Sequence, residues 1–159
     1  MDLSRERLVP LALLFTLLVV NAMGLWPEIS ISCVDLNDNV FHFTLVERIV
    51  QAVEHGEDPL DCWSPEWALG HPVLRTYQPL AHAVVALVYF ALGKSVALMK
   101  VFVWVRFLSV VLLPLSFFAA ARLMGLRPIT AAAAAMLALL HYFTASHARN
   151  NPSGFTSSQ

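Results

Sequence analysis

Apolar and polar positions fall into long blocks along this chain. Residues 8–25 form an eighteen-residue run without a charge, about 27 Å of helix, which approaches the roughly 30 Å of bilayer hydrocarbon. The run predicts a spanning helix over 8–26, after a short N-terminus of residues 1–7. It also reads as a secretory signal, with Arg5 and Arg7 at its positive end and Val20-Asn21-Ala22 as a small-residue cleavage site. Later apolar runs keep the protein in the membrane on either reading. A second run predicts a span over 79–93, short enough to borrow length from Tyr77 and a snorkelling Lys94. A third covers 101–124, interrupted by Arg106 and kinked at Pro114. Residues 125–128 read as a tight turn, and an alanine-rich helix over 129–143 reads as a partial fourth span. A polar tail over 144–159 lacks apolar periodicity, as either a true C-terminus or the product of a truncated or misread gene would. The fold class expected is all-α, polytopic, with three clear spans and a partial fourth.

Between the first two spans lie residues 27–78, which hold nine of the eleven acidic residues. This stretch reads as an aqueous loop. A loop beyond about 12–15 residues is usually functional or internally structured, and within this one Phe41, Leu45, Ile49, Ala52 and Val53 recur at helical spacing, with Glu47, Arg48, Gln51, Glu54 and His55 between them. They predict an amphipathic helix over about 38–55, ending at Gly56 as a C-cap, with its apolar stripe on the membrane surface or against the helical bundle.

Composition narrows the class further. With 58% apolar and 13% charged residues and a mean hydropathy of +0.65, the chain has too little polar surface for a soluble globule of 159 residues. A net charge of −1 and two cysteines exclude a basic nucleic-acid binder and a disulfide-stapled domain. Cys33 and Cys62 share the loop and would pair only in an oxidising compartment. Arg5 and Arg7 favour a cytoplasmic N-terminus, with the acidic loop outside and Lys94 and Lys100 inside. Arg122 and Arg127 then face outward, against that rule.

Candidate chemistry is concentrated in the loop. Asp35-Leu36-Asn37-Asp38-Asn39 offers oxygen ligands of the kind hard divalent cations take, and a carboxylate there could act as a general base. Alternatively Asn37 or Asp38 caps the helix that follows, which leaves Asp35 unexplained. Residues 63–79 hold Trp63, Trp67, His71, Arg75 and Tyr77, either an interfacial aromatic belt or the rim of an amphiphilic-ligand site, with Arg75 on phosphate and aromatics on sugar or isoprenoid. Arg106, inside an apolar run, either faces a polar cavity or snorkels to the surface. The six histidines show no metal-binding spacing, and His82 reads as a lone satisfied histidine in the second span.

The order of these parts resembles the N-terminal portion of GT-C superfamily membrane glycosyltransferases over residues 8–140. Tyr77-Gln78-Pro79-Leu80 through Ala91-Leu92-Gly93 is similar to their P-P-L-hydrophobic-G segment, Val105-Arg106-Phe107-Leu108-Ser109 to the next, and Ala121-Arg122-Leu123-Met124-Gly125-Leu126-Arg127-Pro128 to the break before span four. Among these proteins the chain looks most like uncharacterised bacterial integral membrane proteins, some labelled "6-pyruvoyl-tetrahydropterin synthase-related", although nothing here resembles zinc-histidine pterin chemistry. The resemblance implies an inner-membrane enzyme that transfers sugar from a polyprenyl-phosphate donor on the outer face, commonly assisted by a divalent metal such as Mg2+ or Mn2+. Asp38 or Asp35 would be the catalytic, metal-proximal carboxylate, with Arg75, Tyr77, His71 and Arg106 as substrate-binding residues. Family members have eight or more spans, so four at most make this chain an incomplete transferase. The competing class is a non-catalytic membrane subunit or assembly factor that binds a partner through the loop helix. In either class, a homo-oligomer or another membrane subunit would cover the small-residue alanine face.

Overall fold

The structure is a computed structural model that describes residues 3–30, 38–65 and 70–150. Among the described residues the fold is all-α: α1 (Leu3–Ser30), α2 (Asp38–His55), α3 (Val73–Thr76), α4 (Leu80–Ala91), α5 (Leu98–Val111), α6 (Leu113–Leu123) and α7 (Pro128–Asn150), with no strand beyond one isolated bridge between Ser64 and His71. Among the described residues only α1, over Leu8–Ser30, is by itself long and apolar enough to cross a membrane. α5 and α6 reach that length together as one bent pair, whereas α4 and the apolar part of α7, Pro128–His141, are shorter. Against the three clear spans expected from the apolar runs, the described residues show one helix of that length and apolarity, or two if the bent pair is a single span. α4 falls short because Leu92 caps it and the chain turns at Gly93 and Lys94, both at positive φ. α7 instead outruns its expected end at 143 and continues helical to Asn150.

The chain divides into two compact units, residues 27–106 and residues 1–26 with 107–159. In the first, α2 packs on α4. Leu45, Ile49, Val50 and Ala52 are buried with Cys62, Val73, Leu74 and Ala86, while Val46 joins Val85, Val101 and Phe102 in an adjoining cluster. The buried arc of α2 thus differs from the sequence stripe. Val46 and Val50 are inside and Val53 is 43% exposed, because α2 is covered from two sides and its core face is wider than a single seam. Its C-terminus is set by Gly56 at φ +73. The N–H groups of Gly56 and Glu57 return to the carbonyls of Val53 and Ala52 at 3.2 and 2.8 Å. This left-handed cap closes two of the last free carbonyls, and any side chain at 56 would strain it.

In the second unit α6 packs on α7, and the buried residues of the two helices include Ala121 on α6 and Ala131, Ala132, Ala135 and Leu139 on α7. Alanines let two backbones approach closely. The kink expected at Pro114 is a 43° bend between α5 and α6. Proline has no N–H to offer the carbonyl four residues back, that of Val110. Asn21 of α1, fully buried, supplies the missing donor: its Nδ2 lies 2.7 Å from the Val110 carbonyl oxygen and 3.4 Å from that of Val111. The Val111 carbonyl is left over because the Leu115 N–H turns back to Leu112 instead, at 3.0 Å. Asn21 Oδ1 is buried without a partner among the described residues.

Candidate functional site

The site residues expected from sequence separate into those the fold brings together and those it disperses. Arg75, on the short helix α3, forms an ion pair with Asp61. That partnership raises its pKa, through the hydrogen bond to Asp61 and then the charge of Asp61. Arg106 pairs with Glu28, so the cation in the apolar run meets a carboxylate at the end of α1, and no empty polar cavity is needed to explain it. Both guanidiniums expected to bind substrate therefore have carboxylate partners, with which a donor phosphate would have to compete. His71 is held by its backbone, which exchanges bonds of 3.1 and 3.4 Å with Ser64. Asp35 and Cys33 lie outside the described residues, while Cys62 is a buried free thiol whose pKa burial pushes up. The Cys33–Cys62 pairing thus has only one described member.

Asp38 is exposed and is the first residue of α2, where the helix dipole favours a carboxylate. One turn further on, His42 shares its face. Its Nδ1 lies 3.0 Å from Nε2 of His82 on α4. The ring centres are 5.2 Å apart and the planes only 27° from parallel, so the nitrogens meet nearly head-on, as in an N–H···N bond. Tyr77 packs beside both rings, at 5.8 Å from His42 and 5.9 Å from His82. Phe41 closes the group edge-on to Tyr77 at 5.2 Å. Tyr77 is thus the one substrate-binding residue expected from sequence that joins the cluster, with Asp38 one helical turn before His42.

His82 is 4% exposed and both its ring nitrogens are engaged, because Nδ1 lies 3.0 Å from the backbone carbonyl of Gln78. It is satisfied, as expected of a buried histidine, but by a second histidine forty residues away in sequence. His42 is the functional candidate that sequence reasoning missed; the available signal was its four-residue spacing from Asp38 on a helix already recognised.

The surrounding loop is fastened to this unit by polar ties. Arg48 of α2 donates from Nε to the Trp63 carbonyl at 2.7 Å and pairs with Glu57, and Glu54 pairs with Lys94 beyond α4. Gly70, at φ +92, lets Trp63 lie against the backbone, since a Cβ there would come within 2.5 Å of the indole Nε1. Among the described residues no group of three or more histidine, cysteine or carboxylate side chains could hold a metal ion. Asp38 alone, with Asp35 outside the described residues, does not make a divalent-metal site.

The described residues define an all-α protein with one or two candidate membrane spans and a polar, aromatic-walled histidine pair on α2 and α4. Comparison with protein-family models, with curated proteins and with solved structures returns no match.

Proposed function

We propose that this chain is a multi-pass inner-membrane protein corresponding to the N-terminal part of a GT-C-like glycosyltransferase, transferring a sugar from a polyprenyl-phosphate donor on the outer face. The observation that carries the proposal is the exposed carboxylate of Asp38, which opens α2 soon after the candidate span and stands one turn from the His42–Tyr77–His82 cluster. An acceptor sugar bound by Asp38 would have its reacting hydroxyl beside a polar group able to receive a proton, while the faces of Tyr77 and Phe41 offer apolar walls to a sugar ring. The competing reading, a subunit that docks a partner through the apolar face of α2, loses support because α4 and the surrounding clusters fill that face.

The test is transfer from a panel of radiolabelled polyprenyl-phosphate hexoses and pentoses, assayed on the full chain in lipid nanodiscs. Asp38→Asn is expected to abolish turnover and Asp35→Asn to reduce it. Turnover by Asp38→Asn equal to that of the unaltered chain would remove Asp38 from the site.

A further inference from the structure

The hydrogen bonds around the histidine pair fix where its lone pairs lie. The Gln78 carbonyl can only accept, so His82 Nδ1 carries a hydrogen. A neutral His82 then presents a lone pair at Nε2, and His42 Nδ1, 3.0 Å away, must donate to it. That leaves the lone pair of His42 on Nε2, at the far edge of its ring. The arrangement is a directed chain: His42 donates to His82, and His82 donates to the backbone of Gln78. A proton arriving at His42 Nε2 gives a cation whose Nδ1–H still has its acceptor, now through a charge-assisted bond. A proton on both Nδ1 of His42 and Nε2 of His82 would set two N–H groups against each other, so the pair has room for one added proton and accepts it on His42.

Tyr77 and Phe41 wall this chain, Gln78 anchors it, and Asp38 shares the face of His42. His82, buried on α4, cannot meet a ligand itself; half-buried His42 is the member within reach.

We propose that His42 is the proton acceptor of this site and that His82 is its positioning residue, holding the tautomer that aims an unprotonated Nε2 at the acceptor hydroxyl. This rests on the glycosyl-transfer reading above, and it moves the base from the carboxylate to the imidazole. The hydroxyl oxygen attacks the anomeric carbon of the donor, and the bond from that carbon to the phosphate oxygen breaks, its electron pair leaving with the polyprenyl phosphate. The hydroxyl proton passes to His42 Nε2 and from there to water. Asp38 accepts a hydrogen bond from a neighbouring hydroxyl of the acceptor and orients the attacking one toward His42.

Two measurements on the full chain test this. Histidine-selective 15N spectra, taken where both rings are neutral, are expected to show His42 and His82 both with hydrogen on Nδ1. His82→Leu should return His42 to a mixture dominated by the other tautomer. His82→Gln, whose side-chain oxygen can accept from Nδ1, should restore it. In the transfer assay His42→Gln should lower turnover by about 10²-fold or more with KM for the donor unchanged, and His82→Leu should lower kcat with recovery in His82→Gln. A His42 found with hydrogen on Nε2 overturns the proposal whatever the activity. So does unimpaired turnover in His42→Gln. Absence of sugar transfer from the unaltered protein, with the tautomers as expected, overturns the glycosyl-transfer reading and leaves the directed pair itself standing.

Discussion

Replacing Asn21 tests the account of the bend between α5 and α6. Asn21→Ala removes the donor that serves the Val110 carbonyl at 2.7 Å and, more weakly, the Val111 carbonyl at 3.4 Å. Leaving a buried acceptor without a donor costs about 1–3 kcal/mol, and deleting the buried, unpartnered Oδ1 of the same side chain returns part of it. Hydrogen bonds between membrane helices average only about 0.6 kcal/mol and reach about 1.7, so the expected net loss is about 1 kcal/mol. The cause is specific: Val110 lacks its helical partner because residue 114 is proline. Pro114→Ala restores that N–H, and in this background Asn21→Ala should cost close to nothing. The double-mutant cycle should therefore show a coupling of about 1 kcal/mol, above the roughly 0.5 kcal/mol scatter of independent sites. Reversible unfolding in mixed detergent micelles, followed by circular dichroism, measures all four corners. Costs that simply add would refute the claim that Asn21 completes the helix that Pro114 interrupts.

Two other outcomes follow from local features. Burial raises the pKa of Glu47 on α2, so its charged form is disfavoured on folding. The penalty is absent below the ordinary carboxylate range and fully present above the raised value. Glu47→Gln should stabilise the protein at neutral pH, with the gain vanishing as pH falls through that range in denaturant titrations. Gly70→Ala should destabilise by at least about 1 kcal/mol, because the left-handed backbone and the indole of Trp63 both reject a Cβ; a lowered denaturation midpoint and a changed tryptophan emission would report it.

Local signals in the sequence proved legible where one residue decides the geometry. Gly56 ends α2, Pro114 bends the α5–α6 pair, and Gly125 ends α6, its N–H and that of Leu126 returning to the carbonyls of Arg122 and Ala121. Span counting was less secure, since apolar runs record where charges are absent and not where a helix stops. The run over 79–92 contains a helix of only twelve residues, and the polar stretch after 143 stays helical because nothing before Pro152 breaks it. The site was half legible. Asp38 and Tyr77 stood out by type and position, but the meeting of His42 with His82 is a tertiary event across forty residues. The fates of Arg75 and Arg106 were likewise settled by tertiary partners, Asp61 fourteen residues away and Glu28 seventy-eight residues away.

The alanine seam between α6 and α7 sets a pattern of tolerance that inverts the usual one. Bulky side chains such as Leu123 and Leu137 point outward and can drift among Leu, Val, Phe and Met at little cost. Ala121, Ala131 and Ala135 are buried, so a larger residue at any of them has to displace whatever packs against its methyl. In a library of random variants, this region should therefore keep its smallest residues and scramble its largest.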